Sequence, residues 1–449
     1  MAADSFKITL AQLNPMVGDI AGNAAKAREA RAKAAADGAD LVVLPELFIA
    51  GYPPGDLVCE PDFQAACRAA TETLARESAD GGPAVLIGTP WSEDGKLYNA
   101  IALLDAGRVA ATRFKTNLPD DQPRMFARGP AAGPISVRGM RIGIAIGEDI
   151  WSEKAGGENV VETLAETGAE LIVVPAAARY VRGDGDRRLS AAVAGVTESE
   201  LPLLWLNQTG GQGDEVFDGA SFALNADLSM AAQLPGFVDS VTTLAWSRGA
   251  EGWLCRGPVA TLIEGDEADY AARVLGLRDR VAKAGHSGVV LGLTADIESL
   301  LSLAIAVDAL GSAKVRGVVL SGPGTPQQAQ DAAIAAAARL GVAAETMSIA
   351  AAVAAFEQIL PGKLSRDADR DLLARVRAAL LSALASLSGA LALLPGQGAN
   401  GHAADIQPSQ LIRLAALRNR WRPVGALGAA GEVIPPDIID RASIDASDG

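Results

Sequence analysis

Short apolar runs, each closing on a residue that stops a strand, alternate with small-residue helical stretches through most of this chain. Residues 6–13 (FKITLAQL) and 40–45 (DLVVLP) read as buried strands, with the Ala-rich, amphipathic residues 23–37 between them. Asn23 is placed to cap that helix. Further strands are expected at residues 84–88, 98–104, 109–114, 141–146, 171–175, 203–207 and 221–225, and helices at 62–77, 159–166 and 187–198. Only layered α/β architectures accommodate such an alternation.

Periodicity weakens over residues 246–266, where Ser247 to Gly252 reads as a turn or linker, and a boundary is placed at Glu264. A second α/β unit follows: helix 267–284, strand 288–293, helix 298–310, strand 315–320, helix 327–340 and a short strand at 390–394. Strand, helix, strand in that order predicts a parallel sheet with its ligand crevice at the carboxyl edge. Domains are therefore expected at 1–263 and 264–449, two units being reasonable for 449 residues at roughly 150 residues per domain.

Composition narrows the partners. Hydrophobic residues make up 49% and charged residues 21%, which excludes a largely disordered chain. Net charge is −15, a sign that repels phosphate backbones and anionic lipid, so neither nucleic acid nor a membrane surface is expected as a partner. Residues 378–394 carry no charge, but Ser382, Ser386, Ser388 and Gly389 interrupt them, and they read as a helix end, a break and a strand. Upstream, Arg375 and Arg377 after Asp367, Asp369 and Asp371 read as a solvated helix face.

The first residues hold no basic patch followed by an apolar stretch, so no secretory signal is expected. Cys59, Cys67 and Cys255 form no metal-ligand spacing and suit a reducing compartment; a cytoplasmic location follows, with each cysteine a small buried residue. The only histidines, His286 and His402, have no ligand-spaced companions, so no metal is expected. The run Gly210 to Gly213 lacks strand-to-helix context and reads as a loop.

Several strings carry a resemblance. AQLNPMVGDIAGN (11–23), LVVLPELFIAGYPP (41–54), RFKTNLP around Lys115, IGEDIW (146–151) and FDGASFALNAD (217–227) are similar to the nitrilase-type glutaminase domain of glutamine-dependent NAD(+) synthetases. EGDEADYAARVLGLRD, RLAALRNRW and GEVIPPDIID resemble later parts of the same family, in consistent order. The resemblance implies an N-terminal nitrilase-like αββα sandwich followed by a Rossmann-like PP-loop parallel-sheet domain. That second domain is shortened here, since the family continues beyond the equivalent of Pro435 and Pro436. It also implies a Glu, Lys, Cys triad that hydrolyses glutamine, ammonia passing to a second site, and ATP used there to adenylate deamido-NAD.

Residue by residue, Glu46 and Lys115 match the family's base and its lysine, but the nucleophile position falls on Gly147, followed by the retained Glu148, Asp149 and Trp151. Glycine offers no thiolate to attack a carboxamide, and loss of a triad nucleophile costs on the order of 10⁶ in turnover in a hydrolase. No useful glutaminase is therefore expected. Ala176, Ala177 and Ala178 stand where the family has hydrogen-bonding side chains, and Asp120 to Pro123 replaces a Tyr- and acid-bearing loop. Glu46 and Lys115 are then read as a vestigial buried ion pair, preferred over a catalytic role; breaking such a pair costs roughly 3–5 kcal/mol.

The family's pyrophosphate loop aligns with Thr294, Ala295, Asp296, Ile297, Glu298 and Ser299, of which only Ser299 keeps its identity. Asp296 puts a carboxylate where a phosphate should sit, a repulsion of about 4 kcal/mol at ~4 Å and an effective dielectric near 20. As acids in a helix's first turn, Asp296 and Glu298 need no ligand. Two further nucleotide elements align with Ser321 to Thr325 and Leu394 to Gly398, without the family's charged groups.

The resulting expectation is a non-catalytic homologue, a scaffold or assembly protein with no cofactor. It would associate through nitrilase-type surfaces with itself or a protein partner, such as an active NAD(+) synthetase. The alternatives are an ammonia-dependent NAD(+) synthetase-type ligase that uses ATP, or a sensor of glutamine or nucleotide.

Overall fold

The structure, a computed structural model, describes residues 4–120, 122–151, 157–250, 252–322, 324–360, 365–394 and 407–447. The chain divides into two compact units, Met1–Ile263 and Glu264–Gly449.

A two-stranded sheet and two large ones make up the first unit. One has the strand order Gly252–Cys255, Ser240–Gly249, Ser5–Gln12, Leu41–Val43, Ala84–Glu93, Lys96–Asp105, Arg108–Phe114; the other runs Met230–Gln233, Phe222–Leu224, Leu203–Asn207, Leu171–Ala176, Met140–Ile144, Ile135–Val137. Side-chain alternation along each strand builds the layers. Leu41, Val43 and Leu86 of the first sheet meet Ile142, Ile144, Leu171 and Val173 of the second, in one core between the sheets. Val42, Val85 and Ile87 point the other way, onto the helices Ile20–Ala36 and Pro61–Glu77 through Ala24, Ala27 and Leu74. Ile172, Val174 and Trp205 likewise bury against Val160–Glu166 and Asp184–Ser199. At roughly 1.5–3 kcal/mol for each large side chain buried, these three interlayer cores fix the αββα order.

The second unit is a four-stranded parallel sheet, Ala344–Ser348, Val315–Ser321, Val289–Gly292, Leu391–Leu393. Val289, Leu291 and Val319 pack on one face with Gly265–Lys283, Ile297–Leu310 and Pro408–Arg418. Val290, Val318 and Leu320 pack on the other with Ala350–Ile359 and Arg366–Ser388. Successive strands move away from Val289–Gly292 on one side, and the last strand returns on its other side. The carboxyl end of Val289–Gly292 is therefore a topological switch point, where open α/β sheets place their ligand crevice.

Several local expectations are corrected. Asp19, not Asn23, caps the first helix by accepting from Gly22 N, while the buried Asn23 side chain donates to the Met16 and Ile49 carbonyls. Residues 247–252, read as a turn or linker, are not a linker: Ser247, Arg248 and Gly249 pair with Leu254, Trp253 and Gly252, so the chain turns there within a hairpin. Thr209–Gln212 is a strand paired with Glu215–Asp218, not a loop. In both places the strand is dictated by a partner distant in sequence or rich in glycine, which a local pattern does not show. Cys59 is exposed, whereas Cys67 and Cys255 are buried and their thiols are pushed up to about 12 by that burial.

The uncharged stretch continues a helix to Ser388, which Gly389 ends in a left-handed conformation before Leu391–Leu393. Among the described residues no helix is long and apolar enough to cross a membrane.

Candidate functional site

Glu46 follows the strand Leu41–Val43, Lys115 follows Arg108–Phe114, and Gly147 follows Met140–Ile144 at the start of a 3-10 turn, Gly147–Ile150. Three strand ends from both sheets thus converge. The chain at Glu46 passes so close to Gly88 that a Cβ there would lie 2.2 Å from Leu47 N and 2.3 Å from Pro45 O, so position 88 admits only glycine. At Gly147, φ is +51°, a left-handed conformation.

Lys115 Nζ donates to Glu46 Oε1 at 2.6 Å and also pairs with Glu148. Asn99 Nδ2 donates to the same Glu46 oxygen at 2.6 Å. Glu46 and Lys115 are both almost wholly shielded from solvent. Burial is the main cause that raises the Glu46 carboxyl's pKa above the ordinary range; Lys115 and Asn99 oppose it without reversing it. Burial alone would lower the Lys115 pKa, but the adjacent Glu46 and Glu148 outweigh it and keep the ammonium charged. Asp149 ties the two loops together by accepting from Thr116 N, Asn117 N and Ile146 N, and burial pushes it up to about 7.

Glu46, Gly147 and Glu148 border a cavity of about 1000 Å³, also lined by Tyr52, Trp151, Ala176, Ala177, Ala178 and Arg188, while Lys115, Asn99 and Asp149 lie behind them. Arg188 is anchored by Asp218, and Arg187 lies over the Trp151 ring at 4.9 Å. None of the cysteines lines it. Position 147 therefore brings no thiolate to the cavity, although Glu46 stands at its wall with Lys115 bonded behind it. Sequence reasoning found those two but missed Asn99 and Gly88, whose roles depend on contacts across the sheet.

The second unit has its own cavity, about 530 Å³, at the switch point. Gly292, Thr294, Asp296, Ser299, Ser302 and Arg377 are among the residues lining it. Asp296 caps the helix Ile297–Leu310 by accepting from Ser299 N at 2.8 Å, and Thr294 Oγ1 donates to it as well. This agrees with its reading as a first-turn acid, and Thr294, Asp296 and Ser299 form one closed hydrogen-bonded turn. Ala295 lies in the same turn but does not line the cavity, whereas Glu298 does.

Arg377 departs from its expected place on a solvated face. It is partly buried, its Nε is shielded and donates to no acceptor, and none of the described carboxylates pairs with it. Arg375, two residues earlier, is exposed and paired with Asp371. An unpaired guanidinium on a cavity wall is a natural partner for an anion. Arg375 lines the same cavity, and the charge pattern does not tell which of the two neighbouring arginines is left without a carboxylate.

His402, Asp121, Pro323 and positions 395–398 lie outside the described residues, while His286 follows the helix Gly265–Lys283 and donates its backbone N–H to Val281. Among the described residues no group of three or more His, Cys, Asp or Glu is placed to hold a metal ion.

Two family models match: carbon–nitrogen hydrolase over residues 7–249 and NAD synthase over residues 269–399. A glutamine-dependent NAD(+) synthetase of Rhodobacter capsulatus is 39% identical, covering 98% of this chain and 83% of the relative. Its counterpart in Xanthomonas campestris is 34% identical over 98% of this chain and 82% of its own. The solved glutamine-dependent NAD+ synthetase of Acinetobacter baumannii, in complex with ADP, superimposes with a TM-score of 0.87 at 30% identity, covering 97% of this chain and 85% of that one.

These findings overturn two expectations. The non-catalytic scaffold is corrected because the relatives that match nearly the whole chain are curated as synthetases, and replaced side chains at two loops do not by themselves make a scaffold. The absence of a cofactor is corrected because the second unit matches the NAD synthase model and the solved relative holds an adenine nucleotide. The αββα sandwich, the parallel-sheet second domain and the matches across both units agree: the chain belongs to the glutamine-dependent NAD(+) synthetase family.

Proposed function

We propose that this chain is an ATP-dependent ligase of the NAD(+) synthetase type, able to take its nitrogen from free ammonia at the second unit. The observation that carries the reading is the cavity at the switch point, with the unpaired Arg377 in its wall. ATP supplies the activation of a carboxylate on the dinucleotide substrate. In this chain the phosphates are held by Arg377 with the Ser302 hydroxyl, because Asp296 occupies the Ser299 amide, the Ser299 hydroxyl is taken up by Thr294 N and Gly292 O, and a carboxylate stays at the helix start. A guanidinium counters that negative charge where a glycine-rich turn would have relied on backbone N–H groups.

Titration calorimetry with magnesium and ATP on the full chain tests this, together with NAD(+) formation from deamido-NAD and ammonium. Arg377→Gln should weaken ATP binding about 10- to 100-fold, as loss of a charged hydrogen-bonding partner does, and Arg375→Gln, at a residue that also lines the cavity but is already paired with Asp371, should weaken it less. Absence of ATP binding in the unaltered protein, or equal binding by Arg377→Gln, refutes the reading.

A further inference from the structure

We propose that the cavity of the first unit binds a linear organic dication, an aliphatic diamine or polyamine, with one ammonium at Glu46 Oε2 and the other at the more open carboxylates Asp120 and Asp184. The proposal does not rest on the ligase reading, which concerns the second unit.

The charge of the wall leads to it. Lys115 is fully buried and does not line the cavity, yet it is the ammonium bonded to both Glu46 and Glu148, which do. What the cavity meets is therefore the carboxylate side of this group. Glu46 is 2% exposed; its Oε1 accepts from Lys115 and Asn99, whereas Oε2 accepts from none of the described residues and is open to the cavity. Burial disfavours the ionised form of Glu46, so a cation brought to its open oxygen restores stabilisation lost with solvent.

Asp120, which is exposed, and Asp184, which is half-buried, also line the cavity, and neither forms an ion pair with a described residue. Asp184 lies close enough to Arg188 to raise its pKa, but the fork of that guanidinium is taken by Asp218. Arg179 is likewise paired with Glu215, and neither Asp218 nor Glu215 lines the cavity. Arg187, the remaining cation of the lining, lies over the Trp151 ring. The arginines are thus largely spoken for, while carboxylates in three separate segments are left for a cation.

Tyr52, Trp151, Trp205 and the alanines Ala176, Ala177 and Ala178 make up much of the other lining. Aromatic faces and methyl groups suit the methylene stem of a long amine, whose charged ends stay with polar partners, and an ammonium is also attracted to an aromatic face. A diamine has no carbonyl carbon to be attacked and no cysteine lines the cavity, so the complex is a binding event and not a reaction.

The experiment is titration calorimetry of the full chain with 1,5-diaminopentane in 0.15 M salt, where attraction between exposed charges is screened beyond about 8 Å. One saturable site is expected. Lysine, the same chain of atoms with a carboxylate added, and glutamine should bind at least about 10-fold more weakly, because that carboxylate meets the acids of the wall. Glu46→Gln should weaken the diamine about 10- to 100-fold and Asp184→Asn by a smaller factor. Asp331→Asn, at an exposed acid of the helix Gln327–Arg339, should leave it unchanged. Urea unfolding shows whether each variant folds; should Glu46→Gln fail to, the comparison of the three ligands on the unaltered protein still decides. No saturable binding, binding of lysine or glutamine as tight as that of the diamine, or a folded Glu46→Gln that binds unchanged overturns the proposal. So does an equal loss with Asp331→Asn, which marks attraction to the acidic surface in general. ATP binding measured in the same preparation bears on the second unit alone, so the failure of either reading leaves the other standing.

Discussion

Replacing Lys115 by Met keeps the length of the side chain and removes the only cation bonded to Glu46 among the described residues. The carboxylate can then be charged without a partner in a site 2% exposed, or it can take up a proton. Protonation is the cheaper route. From an ordinary glutamate pKa of 4.5 to pH 7 is about 2.5 units, and at about 1.4 kcal/mol per unit the cost is about 3 kcal/mol. That figure lies within the roughly 3–5 kcal/mol found when one partner of a buried pair is removed.

The pH dependence has a definite sign. In the variant the folded-state pKa of Glu46 lies above its unfolded value. The unfolded chain therefore gives up its proton first; because Glu46 is already held above the ordinary range in the parent, the two proteins lose stability alike at first, and the variant falls behind only once pH passes the parent's raised Glu46 pKa. The deficit relative to the parent should be at most about 3 kcal/mol at pH 7, should shrink as pH falls, and should be close to nil near pH 4.5. Urea unfolding followed by tryptophan fluorescence reports it, since Trp91, Trp151, Trp205, Trp246 and Trp253 lie in the first unit and only Trp421 in the second. Glu46→Gln in the Lys115→Met background should recover most of the loss at pH 7. A deficit below 1 kcal/mol at pH 7, or one independent of pH, refutes the argument that this ion pair is held in a low-dielectric interior.

Gly88→Ala should destabilise the first unit by about 1–3 kcal/mol, the range for forced overpacking, because the new methyl meets backbone and not a movable side chain; the urea unfolding midpoint measures it. In the second unit, Arg418 donates from Nε to Asp308 Oδ2 at 2.5 Å and from Nη2 to Oδ1 at 2.8 Å, with Tyr270 OH donating to Oδ2 at 2.6 Å. Arg418→Met should therefore cost about 3–5 kcal/mol, seen in the Trp421 fluorescence transition, with Asp308→Leu in the same chain recovering part of it.

Alternation and burial made the architecture legible. The strands around residues 41–43, 171–176 and 203–207 are short apolar runs buried on both faces, and their ends are marked by Pro or Asn. Elements that draw their reason from a distant partner were not legible. The antiparallel partner of Ser5–Gln12 is Ser240–Gly249, more than two hundred residues away, and its exposed polar half resembles a linker. Glu46, Lys115 and Gly147 could be found from local strings because each sits at a strand end with characteristic neighbours. Asn99, Gly88 and Arg377 could not, since nothing nearby in the sequence distinguishes them.

The sequence by itself determined the order of elements, the division of apolar faces and the absence of a side chain at position 147. Those follow from side-chain volume, periodicity and identity, which are local properties. Only the tertiary structure decided that position 147 comes within contact of a carboxylate oxygen and an ammonium, and that, of two arginines lining the second unit's cavity, Arg375 is paired with Asp371 while Arg377 has no carboxylate among the described residues. Both depend on where separate segments bring their polar atoms. In a buried site a displacement of an ångström or two separates a paired charge from an unpaired one.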